Sequence, residues 1–193
     1  MGYVIAEPII PAVIFGIIWI VWVVCGIKSP PVRAIERLLF LGGCFLLFNF
    51  YFMEFPLNAG GWESVSDSLL PLNEAIRIIP FERLIDNCQK GYFDYYFEPY
   101  LVFYSGAALI GFSINLALKQ PMTFKKNALV AFLIPLGGFA FHVIIRLLTG
   151  AMWKLADVTD IIVFMVCYAV GYGVYLLGRL ILGKRQTEKE EKN

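Results

Sequence analysis

An all-α, polytopic membrane helix bundle is the fold class the sequence predicts, and three observations predict it. Hydrophobic residues fill 59% of the 193 positions and charged residues only 16%, with a mean hydropathy of +0.71, which lies outside the range of ordinary soluble domains. The apolar residues are gathered into long runs instead of recurring at amphipathic helical or strand spacing. The basic residues are shared unequally among the connections between those runs, as expected of a chain with a fixed orientation in a bilayer.

Each span needs about 20 apolar residues, because a helix rises about 1.5 Å per residue and the hydrocarbon is about 30 Å thick. About five transmembrane helices qualify, over residues 9–27, 38–55, 100–118, 128–148 and 161–182. The first two form a hairpin through the turn residues Ser29, Pro30 and Pro31. No basic segment precedes the first span and no clear small-residue cleavage site follows it, so it reads as retained and not as a removable signal peptide. Residues 1–183 make one transmembrane domain, and 184–193 read as a disordered cytoplasmic tail with too little apolar surface to fold. Within the spans, Asn49 and Asn115 are candidates for interhelical hydrogen bonds. Ala107 with Gly111 and Ala169 with Gly173 are small pairs four apart that permit close helix contact, and Pro135 with Gly137 and Gly138 predicts a kink.

Orientation follows from charge. One set of connections holds Lys28, Arg33, Arg37, Lys119, Lys125, Lys126, Arg179, Lys184, Arg185, Lys189 and Lys192, while the other holds Arg77, Arg83, Lys90, Arg146 and Lys154 among many carboxylates. Basic connections stay on the cytoplasmic side, so the expectation is N-terminus outside and C-terminus inside. Residues 57–99 then form the largest outer connection, long enough to be functional. Within it an amphipathic helix is expected over about 80–90, with Pro80 in its first turn, Phe81, Leu84, Ile85 and Cys88 on one face, and Gly91 ending it. Such a helix either lies among headgroups or packs as a lid over the bundle. The aromatics from Tyr92 to Tyr100 read as an interfacial belt, with a ligand platform as the alternative.

Several classes of chemistry lack support. There is no glycine-rich phosphate loop, no nucleophile elbow, no nucleic-acid-binding face, and no pair of residues at zinc spacing around the single histidine, His142. Neither a metal nor a cofactor is assigned. The remaining candidates are polar groups at the outer ends of the spans, where an ionisable side chain is costly unless paired or wetted. Arg146 and His142 are four apart on the fourth span, and Asp157 and Asp160 are three apart before the fifth. In the bland reading an aspartate caps the last helix and Arg146 snorkels. In the sharper one Arg146 pairs with an aspartate across an outer pocket, joined by Glu54 or Glu98, to bind a polar headgroup or substrate.

The segment Arg77-Ile78-Ile79-Pro80-Phe81, followed by further spans and by Asp157-Val158-Thr159-Asp160 leading to Gly171-Tyr172, resembles the VanZ-like family in both pieces and order. The likeness covers residues 73–182 and makes Pro80, Phe81, Asp157, Asp160, Gly171 and Tyr172 family-motif positions. It departs where Arg146 and apolar residues stand for the family's glutamate and glutamine, where Thr159 replaces a further aspartate, and where Phe164 falls near a usual asparagine. The resemblance implies a multi-pass protein of the bacterial cell membrane with resistance to teicoplanin and other lipid-bearing glycopeptides, or a role in envelope homeostasis. Membrane lipids, and with them a lipid-bearing antibiotic or envelope precursor, are the implied partners. A non-enzymatic factor is the leading expectation. Its alternatives are an enzyme acting on a lipid headgroup through Asp157, Asp160, His142 and Arg146, and an assembly partner of another membrane protein.

Overall fold

A computed structural model of the chain describes residues 9–24, 31–52, 76–91, 93–118, 120–149 and 156–190. Six helices occur among the described residues: α1 (Ile9–Val24), α2 (Pro31–Phe52), α3 (Glu82–Gln89), α4 (Phe93–Ala117), α5 (Phe124–Thr149) and α6 (Val158–Glu190). Two short strands accompany them, β1 (Ile76–Arg77) and β2 (Ala156–Asp157). Three helices are long and apolar enough to cross a membrane, over Val32–Tyr51, Phe124–Ile145 and Val158–Leu182, and Val13–Trp22 and Leu101–Ala117 are shorter apolar stretches. Length and composition therefore suggest a membrane protein.

Surface and core support that conclusion. Large aliphatic side chains such as Val170 at 61% and Leu148 at 77% exposure face outwards along α5 and α6, an arrangement that suits lipid and would be costly in water. The core is aromatic. Phe103 of α4 and Phe164 of α6 are fully buried, and Phe103 stacks on Phe50 of α2 at 4.2 Å between ring centroids. Helices α2, α4 and α6 pack side by side, with α1 against α2 and α5 against α6. The α1–α2 hairpin is also tied by polar groups: Trp19 Nε1 donates to the Ala34 carbonyl at 3.1 Å, and the Arg37 guanidinium, lying over the Trp22 ring, donates to the Trp22 carbonyl at 2.7 Å.

The seam between α4 and α6 depends on two glycines. A Cβ on Gly111 would collide with the Tyr168 backbone, and one on Gly171 with the Ala108 backbone, so the chains touch where side chains are missing. Gly111 and the fully buried Ala107 behave as their spacing suggested. The Ala169–Gly173 pair does not: Ala169 is exposed and a Cβ on Gly173 would meet nothing. The buried face of α6 runs instead through Phe164, Tyr168, Gly171 and Tyr175, at intervals of three and four residues, and Ala169 and Gly173 fall off it.

Several elements differ from expectation. Helix α2 starts at Pro31, a favoured first helical position, seven residues before the expected span, because its charged first turns join the apolar run. Helix α4 starts at Phe93 and takes in part of the aromatic belt. Helix α6 continues to Glu190, through most of the expected disordered tail; Lys, Arg, Gln and Glu are good helix formers, and extending an existing helix carries no nucleation cost. Helix α5 begins at Phe124, four residues before the expected span, and holds Pro135 inside it. Between α2 and α4, Glu82–Gln89 is helical as the pattern predicts, but Pro80 lies ahead of the helix and Phe81 takes a left-handed conformation at φ 64° at its start. Gly91, at φ 74°, follows its end. The fold is not purely helical either, since β1 pairs in parallel with β2, Ile76 opposite Ala156 and Arg77 opposite Asp157.

Candidate functional site

Two buried polar clusters stand at opposite ends of the bundle. At the end where α4 finishes and α5 begins, Asn115 and Asn127 face each other, nearly fully buried. Asn115 Nδ2 donates to Asn127 Oδ1 at 2.8 Å, and the Met122 N–H donates to Asn115 Oδ1 at 2.8 Å. Asn127 Nδ2 donates to the Met122 and Thr123 carbonyls, both at 3.2 Å. The Tyr168 hydroxyl of α6 donates to Asn127 Oδ1 at 2.9 Å, which ties in the third helix. Asn115 is thus an interhelical partner, as expected. Asn49 Oδ1, by contrast, is buried with no hydrogen-bond partner among the described residues.

The second cluster lies about 22 Å along α5, fifteen residues on, and four elements build it. Asp157 ends β2 and precedes α6; its Oδ1 accepts the Thr159 N–H at 2.8 Å, the N-cap bond expected of an aspartate at a helix start. Asp160 follows one turn later, and both carboxylates are buried, Asp157 at 1% exposure. His142 reaches in from α5, also buried. Tyr51 closes the group from the end of α2, its ring 5.8 Å from the His142 ring between centroids. That approach depends on Gly138, where any Cβ would collide with the Tyr51 ring; Gly138 seats an aromatic ring, a different part from the predicted kink.

Tyr51, Pro135, Phe139, His142, Ala156, Asp157 and Asp160 line a narrow gap that does not admit a water in this conformation. Two polar atoms in it, Asp157 Oδ2 and the Tyr51 hydroxyl, are buried without a hydrogen-bond partner among the described residues. An unsatisfied buried polar group costs about 1–3 kcal/mol, and two side by side mark this gap as the candidate site. Among the described residues no three His, Cys, Asp or Glu side chains converge to hold a metal ion.

The residues chosen from the sequence divide accordingly. Asp157, Asp160 and His142 are brought together. Asp157 does cap the helix, but with one oxygen, so capping and an open site coexist in one side chain. Glu54 lies outside the described residues, and the side chains of Arg146 and Glu98 lie outside the described set, so both the snorkelling of Arg146 and its alternative pairing with an aspartate lie there too. Gly171 and Tyr172 are remote, about 16 Å deeper along α6; Gly171 serves the seam and Tyr172 stacks on Tyr175. Pro80 and Phe81 stand beside the site, because the Phe81 N–H donates to Thr159 Oγ1 at 2.8 Å. With the strand pair, that bond joins the two segments 76–81 and 156–160 at the head of α6. Tyr51 was missed, since one tyrosine within Phe50-Tyr51-Phe52 carries no signal of its own.

The chain is mostly helical, its three long apolar helices suggest a membrane protein, and a narrow polar gap lies at one end of its bundle. No protein-family model matches the sequence, no curated protein is significantly similar to it, and no solved structure matches the chain.

Proposed function

We propose that the chain is a five-span, VanZ-like protein of the bacterial cell membrane, with its N-terminus outside and C-terminus inside. Its pocket between α2, α5 and α6 receives the polar part of an amphiphile in the outer leaflet. Resistance to lipid-bearing glycopeptides, or an envelope role acting on a lipid-bearing precursor, is the consequence for the cell. One observation carries this reading: the two segments that resemble the family, far apart in sequence, meet through Phe81 and Thr159 beside the pocket that holds Asp157 and Asp160. The charge asymmetry supports the orientation, which places this end of the bundle outside.

Susceptibility to teicoplanin and to a lipid-free glycopeptide tests it, in a deletion strain complemented at matched expression with wild type, Asp157→Asn, Asp160→Ala or Arg146→Ala. Selective loss of teicoplanin resistance in the substituted strains is the expected result; equal susceptibility in all strains refutes the resistance role. For topology, cysteines placed over residues 61–90 should react with an impermeant thiol reagent from outside the cell, and labelling only from the cytoplasmic side would reverse the orientation.

A second reading has an observation behind it. His142 shares the gap with two carboxylates, the residue types for acid and base work on a lipid headgroup. Turnover of phospholipid or undecaprenyl-linked lipids by the purified protein, lost in His142→Gln, would favour that enzyme over a binding protein. Tolerance of alanine at every pocket position would favour an assembly partner instead.

A further inference from the structure

We infer that the segment from Ile78 to Phe81, together with Ile85 of α3, is a lipid-contacting edge seated at the acyl-chain boundary of the outer leaflet. The inference rests on the membrane-embedded reading proposed above and adds a surface to it. Ile78, Ile79 and Ile85 are 72%, 63% and 53% exposed, and Phe81 is 37% exposed, a concentration of large apolar side chains that marks a contact surface.

The height of this edge is fixed by its anchors. The apolar span of α6 begins at Val158, and the Phe81 N–H is bonded to Thr159, the next residue; β1 pairs with the two residues just before the span. The segment is therefore held level with the first turn of a membrane-crossing helix, where hydrocarbon begins. Its roll is fixed too. Leu84 packs against the core, and Ile85, about 100° further around the helix, is exposed. Charge agrees with the occupant. Arg77 engages Glu82 at 3.7 Å and Asp86 at 3.4 Å, so these charges are drawn together within the segment, and Val166, seven residues past Thr159 and therefore on the same face of α6, is likewise exposed. A short amphipathic element of this kind suits the interface between headgroups and chains.

The test uses the full chain in phosphatidylcholine vesicles, with Cys25, Cys44, Cys88 and Cys167 replaced and one nitroxide label introduced through Ile78→Cys, Ile79→Cys, Ile85→Cys, Lys90→Cys or Val166→Cys. Collision with oxygen, which concentrates in lipid, is compared with collision with a water-soluble nickel chelate. Labels at 78, 79 and 85 should favour oxygen, as at 166, while Lys90→Cys favours nickel. If 166 favours oxygen but 78, 79 and 85 favour nickel, or are shielded from both reagents by a protein partner or a second copy, the lipid edge is overturned and the embedded fold stands. If 166 also favours nickel, the embedded reading fails and this one with it.

Discussion

The two polar clusters at the ends of α5 use the same kinds of group and treat them differently. Around Asn127 the side-chain amides and the Tyr168 hydroxyl are bonded to one another or to backbone across three helices. Around Asp157 and Tyr51 buried oxygens face a gap without partners among the described residues. Inside a low-dielectric bundle, a satisfied network fixes helix register, whereas unsatisfied groups cost stability. The difference separates a fastening from a candidate site.

Substitutions can break or sharpen this contrast. The largest effect is expected from Asn127→Leu, which strands Asn115 and the Tyr168 hydroxyl: thermal unfolding in detergent should show a loss of about 2–3 kcal/mol, and any loss of function should follow the fall in folded protein. Thr159→Val removes the acceptor for Phe81 and should cost about 1 kcal/mol, seen as faster hydrogen exchange of the Phe81 and Ile85 amides at little change in global stability. Asp157→Ala should cost about 1 kcal/mol through the lost cap; Asp157→Asn, which keeps a capping oxygen, should be nearly neutral in unfolding yet as inactive in the teicoplanin assay. Tyr51→Phe, the smallest change, deletes a hydroxyl with no partner among the described residues and should leave the unfolding midpoint unchanged or slightly raised. A Tyr51→Phe variant as destabilised as Asn127→Leu would erase the distinction between the two ends.

The sequence was a good guide wherever structure follows from local pattern. Apolar runs located the helices, and periodicity located α3 within two residues of its observed bounds. Helix starts were misplaced where charged residues such as Arg33 and Arg37 sit in first turns that composition alone assigns to loops. Asp157, Asp160 and His142 were legible as candidates because ionisable groups next to apolar runs are conspicuous. The pairing of β1 with β2 was not, since two residues have no period and their partners are remote. Nor was the choice of Gly171 over Gly173, which depends on the angle at which α6 meets α4, or the seating of Tyr51 on Gly138, which depends on two helices at once.

The tie between Phe81 and Thr159 also sets a timetable. Eighty residues separate Ile76 from Ala156, and a ribosome adding about 5–20 residues per second needs on the order of ten seconds to make them. For that interval the segment 76–81 has left the ribosome before its mate exists, so the last helix is also the latch: a nascent chain cut off before Thr159 could keep its earlier helices, yet would display this segment untethered and open to proteolysis.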